Sequence, residues 1–263
     1  MKEERGDFSL NPLNINMKRM QGHHYKRILF FLLFSLFGSW MHAQQQALLY
    51  YLVRQPVVKT ARPPLLILLH GYGSNETDLF SLAEQLPPEF MVVAARGPYT
   101  LSENSYAWYH VDFSTGAPVA NKTEEEQSRK LLCDFITVLS LKHKFDLTRI
   151  YLAGFSQGAI MSYNVGLLSP SMVTGIGVLS GRLPDEVKAR VKFTPELKAL
   201  KIFVTHGTSD ATLPVQYAAA AQEWMGKKGL KPEVFILDGP HTITPEMLKV
   251  FNDWLERCLA IQQ

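Results

Sequence analysis

Short apolar runs rich in branched side chains alternate, between residues 44 and 263, with longer stretches in which apolar positions recur at helical spacing. The runs Leu48 to Val53, Leu65 to Leu69, Met91 to Ala95, Ile150 to Ala153, Gly175 to Leu179, Ile202 to Thr205 and Val234 to Leu237 predict strands. Helical spacing covers Asp78 to Leu86, Glu124 to His143, Gln157 to Leu168, Gln216 to Lys228 and Pro245 to Cys258. This alternation predicts a three-layer α/β domain, a mostly parallel central sheet with helices on both faces. In the segment from Glu124, Leu131, Leu132, Phe135, Ile136, Val138 and Leu139 form one apolar stripe, with Thr123 as the expected start. The run Glu124-Glu125-Glu126 reads as first-turn carboxylates meeting the positive end of the helix rather than as a metal site.

Residues 1–43 have a different character. Lys18, Arg19, Lys26 and Arg27 precede an apolar stretch from Ile28 to Phe37, and Ala43 is a small residue suited to a cleavage point, although Met41 is not. The segment is expected to be a signal peptide, or an uncleaved N-terminal anchor, with Met17 and Met20 as alternative starts. Export to the periplasm or outside the cell follows, and membrane contact only if the segment stays attached. It holds six of the 27 basic and three of the 24 acidic side chains, so the remainder is balanced at 21 against 21. A balanced surface argues against a nucleic-acid binder or a ligand of anionic membranes. Residues 44–263 suit a single domain, without a linker or repeat. Its two cysteines, Cys133 and Cys258, lie in helical segments without metal-ligand spacing; burial is expected, and spacing alone does not settle a disulfide.

Candidate chemistry concentrates in loops that follow strands. Gly154-Phe155-Ser156-Gln157-Gly158 lies between a strand and a helix, and glycines on either side allow a turn that projects the serine hydroxyl from the sheet. A serine needs a base to take its proton and an acid to orient that base. Asp210 follows Ile202 to Thr205, and His241 follows Val234 to Leu237, which completes the order nucleophile, acid, base. Asp238 is too near His241 to reach around it, and Asp185 and Asp112 lack the post-strand position. Among the eight histidines, His23, His24 and His42 fall in the leader, His143 near a helix end, and His110 in a long loop within possible reach of substrate. His70 and His206 close apolar strands and read as hydrogen-bonded structural residues. In His70-Gly71-Tyr72-Gly73 the backbone N–H of Tyr72, with that of Gln157, is expected to form an oxyanion hole.

Together Leu69-His70-Gly71-Tyr72-Gly73 with Asp78-Leu79, Gly154-Phe155-Ser156-Gln157-Gly158, His206-Gly207 with Asp210 and Pro214, and His241 resemble the phospholipase/carboxylesterase family of α/β-hydrolases, which includes acyl-protein thioesterases. The resemblance implies an α/β-hydrolase fold and a serine hydrolase acting on a small-molecule ester through an acyl-enzyme, with neither metal nor organic cofactor. Lysophospholipase or thioesterase activity is the alternative within this fold, with a serine peptidase or a non-catalytic binding protein further off. The chain departs from the family where Pro240 stands directly before His241 in place of glycine. The familiar thioesterases are cytoplasmic, so an exported relative is not expected to act on intracellular acylated proteins. The long segment from Arg96 to Asn121 carries Tyr99, Tyr106, Trp108, Tyr109 and Phe113; Trp108 and Tyr109 are the expected substrate-lining residues.

Overall fold

The computed structural model describes residues 49–114 and 116–260, so the leader read at residues 1–43 lies outside the described residues. In chain order the strands are β1 (Tyr51–Arg54), β2 (Leu65–Leu69), β3 (Met91–Ala95), β4 (Tyr99–Ser102), β5 (Ser105–Ala107), β6 (Val111–Asp112), β7 (Val119–Ala120), β8 (Ile150–Phe155), β9 (Gly175–Leu179), β10 (Lys201–Gly207) and β11 (Glu233–Leu237). Seven of them form one sheet in the order β1-β3-β2-β8-β9-β10-β11. Only β1 runs antiparallel, against β3. Every residue of β2, β3 and β9 is buried, which is why these strands are unbroken apolar runs: helices cover both faces. At the edge, β11 is half exposed.

The α-helices are α1 (Glu76–Phe80), α2 (Lys122–Lys142), α3 (Gln157–Leu168), α4 (Asp185–Arg190), α5 (Pro195–Ala199), α6 (Gln216–Lys227) and α7 (Pro245–Ala260). Helix α3 is buried from Gln157 to Leu167. It lies so close to the sheet that a Cβ on Gly166 would come 2.6 Å from the Ile176 side chain. Helix α7 covers the opposite face, where Phe251 and Trp254 meet Phe203 at 5.4 and 5.5 Å between ring centroids, and Trp254 meets Tyr151 edge-on at 5.9 Å.

Several boundaries differ from the sequence expectation. The helix expected over Asp78 to Leu86 is two pieces, α1 and a 3-10 turn at Ala83–Gln85. Asn75 begins the first by accepting from Thr77 N–H at 2.9 Å. Helix α2 starts two residues earlier than Thr123 implies, because Asn121 is the cap, its Oδ1 accepting from Glu124 N–H at 3.2 Å. The Arg96 to Asn121 stretch contains two antiparallel hairpins, β4 with β5 and β6 with β7. Both cysteines are free thiols, and the Cys258 thiol is pushed up to about 11 by burial.

Parallel registers bring Leu69 beside Gly154 and Gly154 beside Val178. The loops after β2, β8, β9, β10 and β11 therefore emerge at one rim, where ligands bind in sheets of this kind.

Candidate active site

The chain passes from β8 into α3 through a single residue. Ser156 makes the turn at φ 54° and ψ −113°, a backbone state that costs a non-glycine residue roughly 1–3 kcal/mol. Neighbouring backbone enforces it. A Cβ on Gly154 would lie 2.3 Å from Gly158 C, and one on Gly158 only 2.0 Å from Leu69 O. Ser156 N–H donates to Leu179 O at 3.0 Å, and Ser156 O accepts from Ile160 N–H at 3.1 Å, so both sides of the strained residue are anchored.

Three loops bring Ser156, Asp210 and His241 together. His241 Nδ1 lies 2.6 Å from Asp210 Oδ2, and His241 Nε2 lies 2.9 Å from Ser156 Oγ. Nδ1 faces a carboxylate oxygen, which only accepts, so the ring proton sits on Nδ1 and Nε2 is free to accept from the serine hydroxyl. Asp210 is buried. Its Oδ1 accepts from Thr212 N–H at 2.9 Å and Leu213 N–H at 2.8 Å. Phe155 lies against the His241 ring at 4.8 Å between centroids. Pro240 does not prevent this geometry. Gly239 turns at φ 146°, its carbonyl accepts from Ser209 N–H at 3.0 Å, and Gly207 lacks the Cβ that would otherwise sit 2.3 Å from that oxygen. The loop carrying the imidazole is thus fastened to the loop carrying the acid.

The loop after β2 borders the serine from the other side: a Cβ on Gly71 would be 3.4 Å from Ser156 Cβ. Among the described residues the backbone N–H groups of Tyr72 and Gln157 have no hydrogen-bond partner. The loop is held by Gly73 N–H to Tyr106 O at 2.9 Å and Tyr106 N–H to Ser74 O at 2.8 Å. His70 clamps it further. Its Nε2 accepts from Gly97 N–H at 2.9 Å, which leaves Nδ1 to donate to Gly71 O at 2.7 Å.

Burial holds the His70 imidazole below its ordinary value of 6.5. The unfolded chain therefore binds this proton more readily, so the contribution of His70 to stability is complete above about pH 6.5 and declines as the pH falls below it. Urea unfolding at about pH 7.5 and 5.5 should show a lower midpoint in acid, and His70→Gln should narrow that gap. A gap left undiminished would contradict the assignment.

The substrate-lining expectation for Trp108 and Tyr109 is corrected. Trp108 is 0 % and Tyr109 2 % exposed. The Trp108 indole N–H donates to His70 O at 3.0 Å, beneath the glycine loop, and burial raises the Tyr109 phenol. Between them the Gln157 side chain is fixed, Oε1 accepting from Trp108 N–H at 2.8 Å and Nε2 donating to Tyr109 O at 2.7 Å. The two aromatics are struts that fix the serine turn and the glycine loop relative to each other. Sequence reasoning singled out the Gln157 backbone and missed its side chain, for which a polar residue at the first, buried position of an apolar helix was the available signal. Two exposed aromatics of the glycine loop and the 96–121 segment, Tyr72 and Phe113, meet edge-on at 5.6 Å. His110 is bound to Glu124 through Nδ1 at 2.8 Å. The acids set aside lie elsewhere: Asp238 accepts from Thr208 Oγ1, Asp185 pairs with Lys188, and Asp112 caps Ser114. Among the described residues no group of three or more His, Cys, Asp or Glu side chains could hold a metal ion.

A helix-covered, mostly parallel sheet with a serine on a one-residue turn between strand and helix defines an α/β-hydrolase. The chain belongs to the phospholipase/carboxylesterase family, whose sequence model matches residues 54–259, and it is a hydrolase of the carboxylesterase type. It is 32 % identical over 130 residues to acyl-protein thioesterase 1 of Mycosarcoma maydis, a match over 46 % of this chain and 52 % of that protein, about half its length. It is 26 % identical over 157 residues to carboxylesterase SOBER1 of Arabidopsis thaliana, covering 58 % of this chain and 68 % of that one. The crystal structure of esterase PE8 superposes with a TM-score of 0.70 at 27 % identity, over 80 % of this chain and 99 % of that one.

Proposed function

We propose that this chain is an exported serine hydrolase that cleaves carboxylic esters through a Ser156-His241-Asp210 triad and an acyl-enzyme. The reading rests on one observation above all: a single imidazole reaches both Ser156 Oγ and the buried Asp210 carboxylate, in the tautomer that accepts the serine proton. Export is proposed from the basic approach and apolar stretch of residues 18–37.

Ser156 Oγ bonds to the carbonyl carbon as its proton passes to His241 Nε2. The carbonyl π electrons move onto oxygen, and the N–H groups of Tyr72 and Gln157, unpartnered among the described residues, donate hydrogen bonds to that oxyanion; each such donor contributes about 3 kcal/mol. As the C–O bond to the leaving alcohol breaks, the imidazolium returns its proton to the departing oxygen. Water, deprotonated by the same nitrogen, then attacks the acyl carbonyl, and Ser156 leaves with its proton restored. Asp210 stays ionised throughout and keeps the ring oriented. Thioesters fit the same steps with a thiol leaving group, as the name of the fungal relative suggests.

The exposed Tyr72 and Phe113 pair, next to the glycine loop, favours an apolar acyl group over a charged one. Hydrolysis of a graded panel of acyl esters, acyl thioesters, lysophospholipids and peptides tests the reading, with covalent labelling by a fluorophosphonate as the check for a reactive serine. Esters should be cleaved and the serine labelled; an unlabelled, inactive folded protein would be a binding protein instead. Phe113→Ala should shift the acyl-length profile, whereas an unchanged profile would remove Phe113 from the substrate path.

A further inference from the structure

We propose that His206 is a positioning residue for the triad acid, holding the Asp210 carboxylate so that His241 faces Ser156. The proposal builds on the reading of Asp210 as that acid. His206 stands near the end of β10, fully buried. Its Nε2 lies 2.6 Å from Leu213 O and 3.2 Å from Asp210 Oδ2. Leu213 O is an acceptor, so Nε2 carries the proton and donates it there, with Asp210 Oδ2 close beside the same nitrogen. Leu213 in turn donates its N–H to Asp210 Oδ1 at 2.8 Å. Two hydrogen bonds in series, His206 to Leu213 O and Leu213 N–H to Asp210 Oδ1, therefore back the carboxylate.

Asp210 Oδ2 is consequently flanked by two imidazoles with different origins. His241 Nδ1 approaches it at 2.6 Å from the loop after β11, and His206 Nε2 at 3.2 Å from β10 itself. The loop contact orients the base; the strand residue, through Leu213, ties the carboxylate to a buried strand. Without His206 the Leu213 carbonyl loses this partner, and the Leu213 N–H that holds Asp210 Oδ1 is less firmly placed.

The remaining nitrogen makes the same point through its cost. Among the described residues His206 Nδ1 is buried with no hydrogen-bond partner. A buried acceptor left unsatisfied is unfavourable, and an apolar side chain in the same space would avoid that loss. Packing alone gives no reason for an imidazole here. The bond made by Nε2 to Leu213 O, beside the Asp210 carboxylate, does.

The wild-type protein provides the first test. Nitrogen-15 NMR of the imidazoles should show His206 protonated at Nε2 and bare at Nδ1; the opposite tautomer would overturn the proposal without any variant or any turnover. The second test compares His206→Met, which has no donor, with His206→Gln, which has one at similar reach. In His206→Met the low-field Nδ1 proton resonance of His241 should move, and kcat should fall by roughly tenfold to a hundredfold with KM little changed. His206→Gln should restore both. A His241 resonance that stays in place in His206→Met, or a loss that Gln fails to recover, would reduce His206 to a core residue. Absence of esterase activity in the wild type would instead strike the proposed function, and the tautomer measurement would still stand.

Discussion

Ser156→Ala should lower ester turnover by roughly 10⁵- to 10⁶-fold while the protein remains folded. The proposed mechanism loses the oxygen that bonds to the acyl carbon, and among the described residues no other hydroxyl bonds to His241 Nε2. What survives should be the modest acceleration supplied by binding and by the N–H groups of Tyr72 and Gln157, since these backbone donors do not depend on the serine side chain. The backbone strain at φ 54° is the same for alanine as for serine, so thermal unfolding should change little. Steady-state hydrolysis of an activated aryl ester, with fluorophosphonate labelling in parallel, measures the effect. Turnover near the wild-type rate would show that the nucleophile lies elsewhere.

Gly158→Ala should damage both stability and activity, although it adds a single methyl group to a helix. The new Cβ would lie 2.0 Å from Leu69 O, 2.5 Å from Leu69 C and 2.7 Å from His70 O. All three are backbone atoms, so no side-chain rotation relieves the contact, and α3 has to move away from the end of β2. Forced overpacking of this kind costs typically about 1–3 kcal/mol. The same movement separates Ser156 from the glycine loop, and a displacement near 1 Å at a reacting group can cost on the order of a hundredfold in rate. Gly226→Ala in α6 is the matching control, because nothing lies within 4 Å of its added Cβ. There alanine should be neutral or stabilising, by up to about 1 kcal/mol. Urea midpoints and kcat for the two variants give the comparison; equal stability in both would mean that the serine turn yields more readily than its contacts indicate.

The positions of the seven sheet strands were legible to within a few residues because buried parallel strands are short apolar runs bounded by loops. The first strand was the least well placed: it begins at Tyr51 rather than Leu48, and as an antiparallel edge strand it is only partly buried. Helices α4 and α5 were missed, being too short to show a periodic stripe. The hairpins within residues 96–121 were missed for the same reason, with strands of two to four residues.

The serine turn was readable because it is local: glycines at two fixed offsets, a strand before and a helix after. The residues that meet it were readable by position, since each follows a strand and parallel strands end at one rim. Their side-chain partners were not. Trp108 looked suited to a substrate wall because it is aromatic and lies in a long loop, yet its indole supports the glycine loop through His70 O, 38 residues away in sequence.

From the sequence alone came the layered α/β architecture, the tight turn that carries Ser156 and the post-strand positions of Asp210 and His241, all encoded in short patterns that act on their own backbone. Tertiary structure decided which aromatics face solvent, how Gln157 locks the serine turn to Tyr109, and that His206 lies beside the Asp210 carboxylate while bonding to Leu213 O. Those choices depend on how loops from separate crossovers meet at the rim, and neither residue type nor spacing along the chain specifies a hydrogen-bond partner across such a gap.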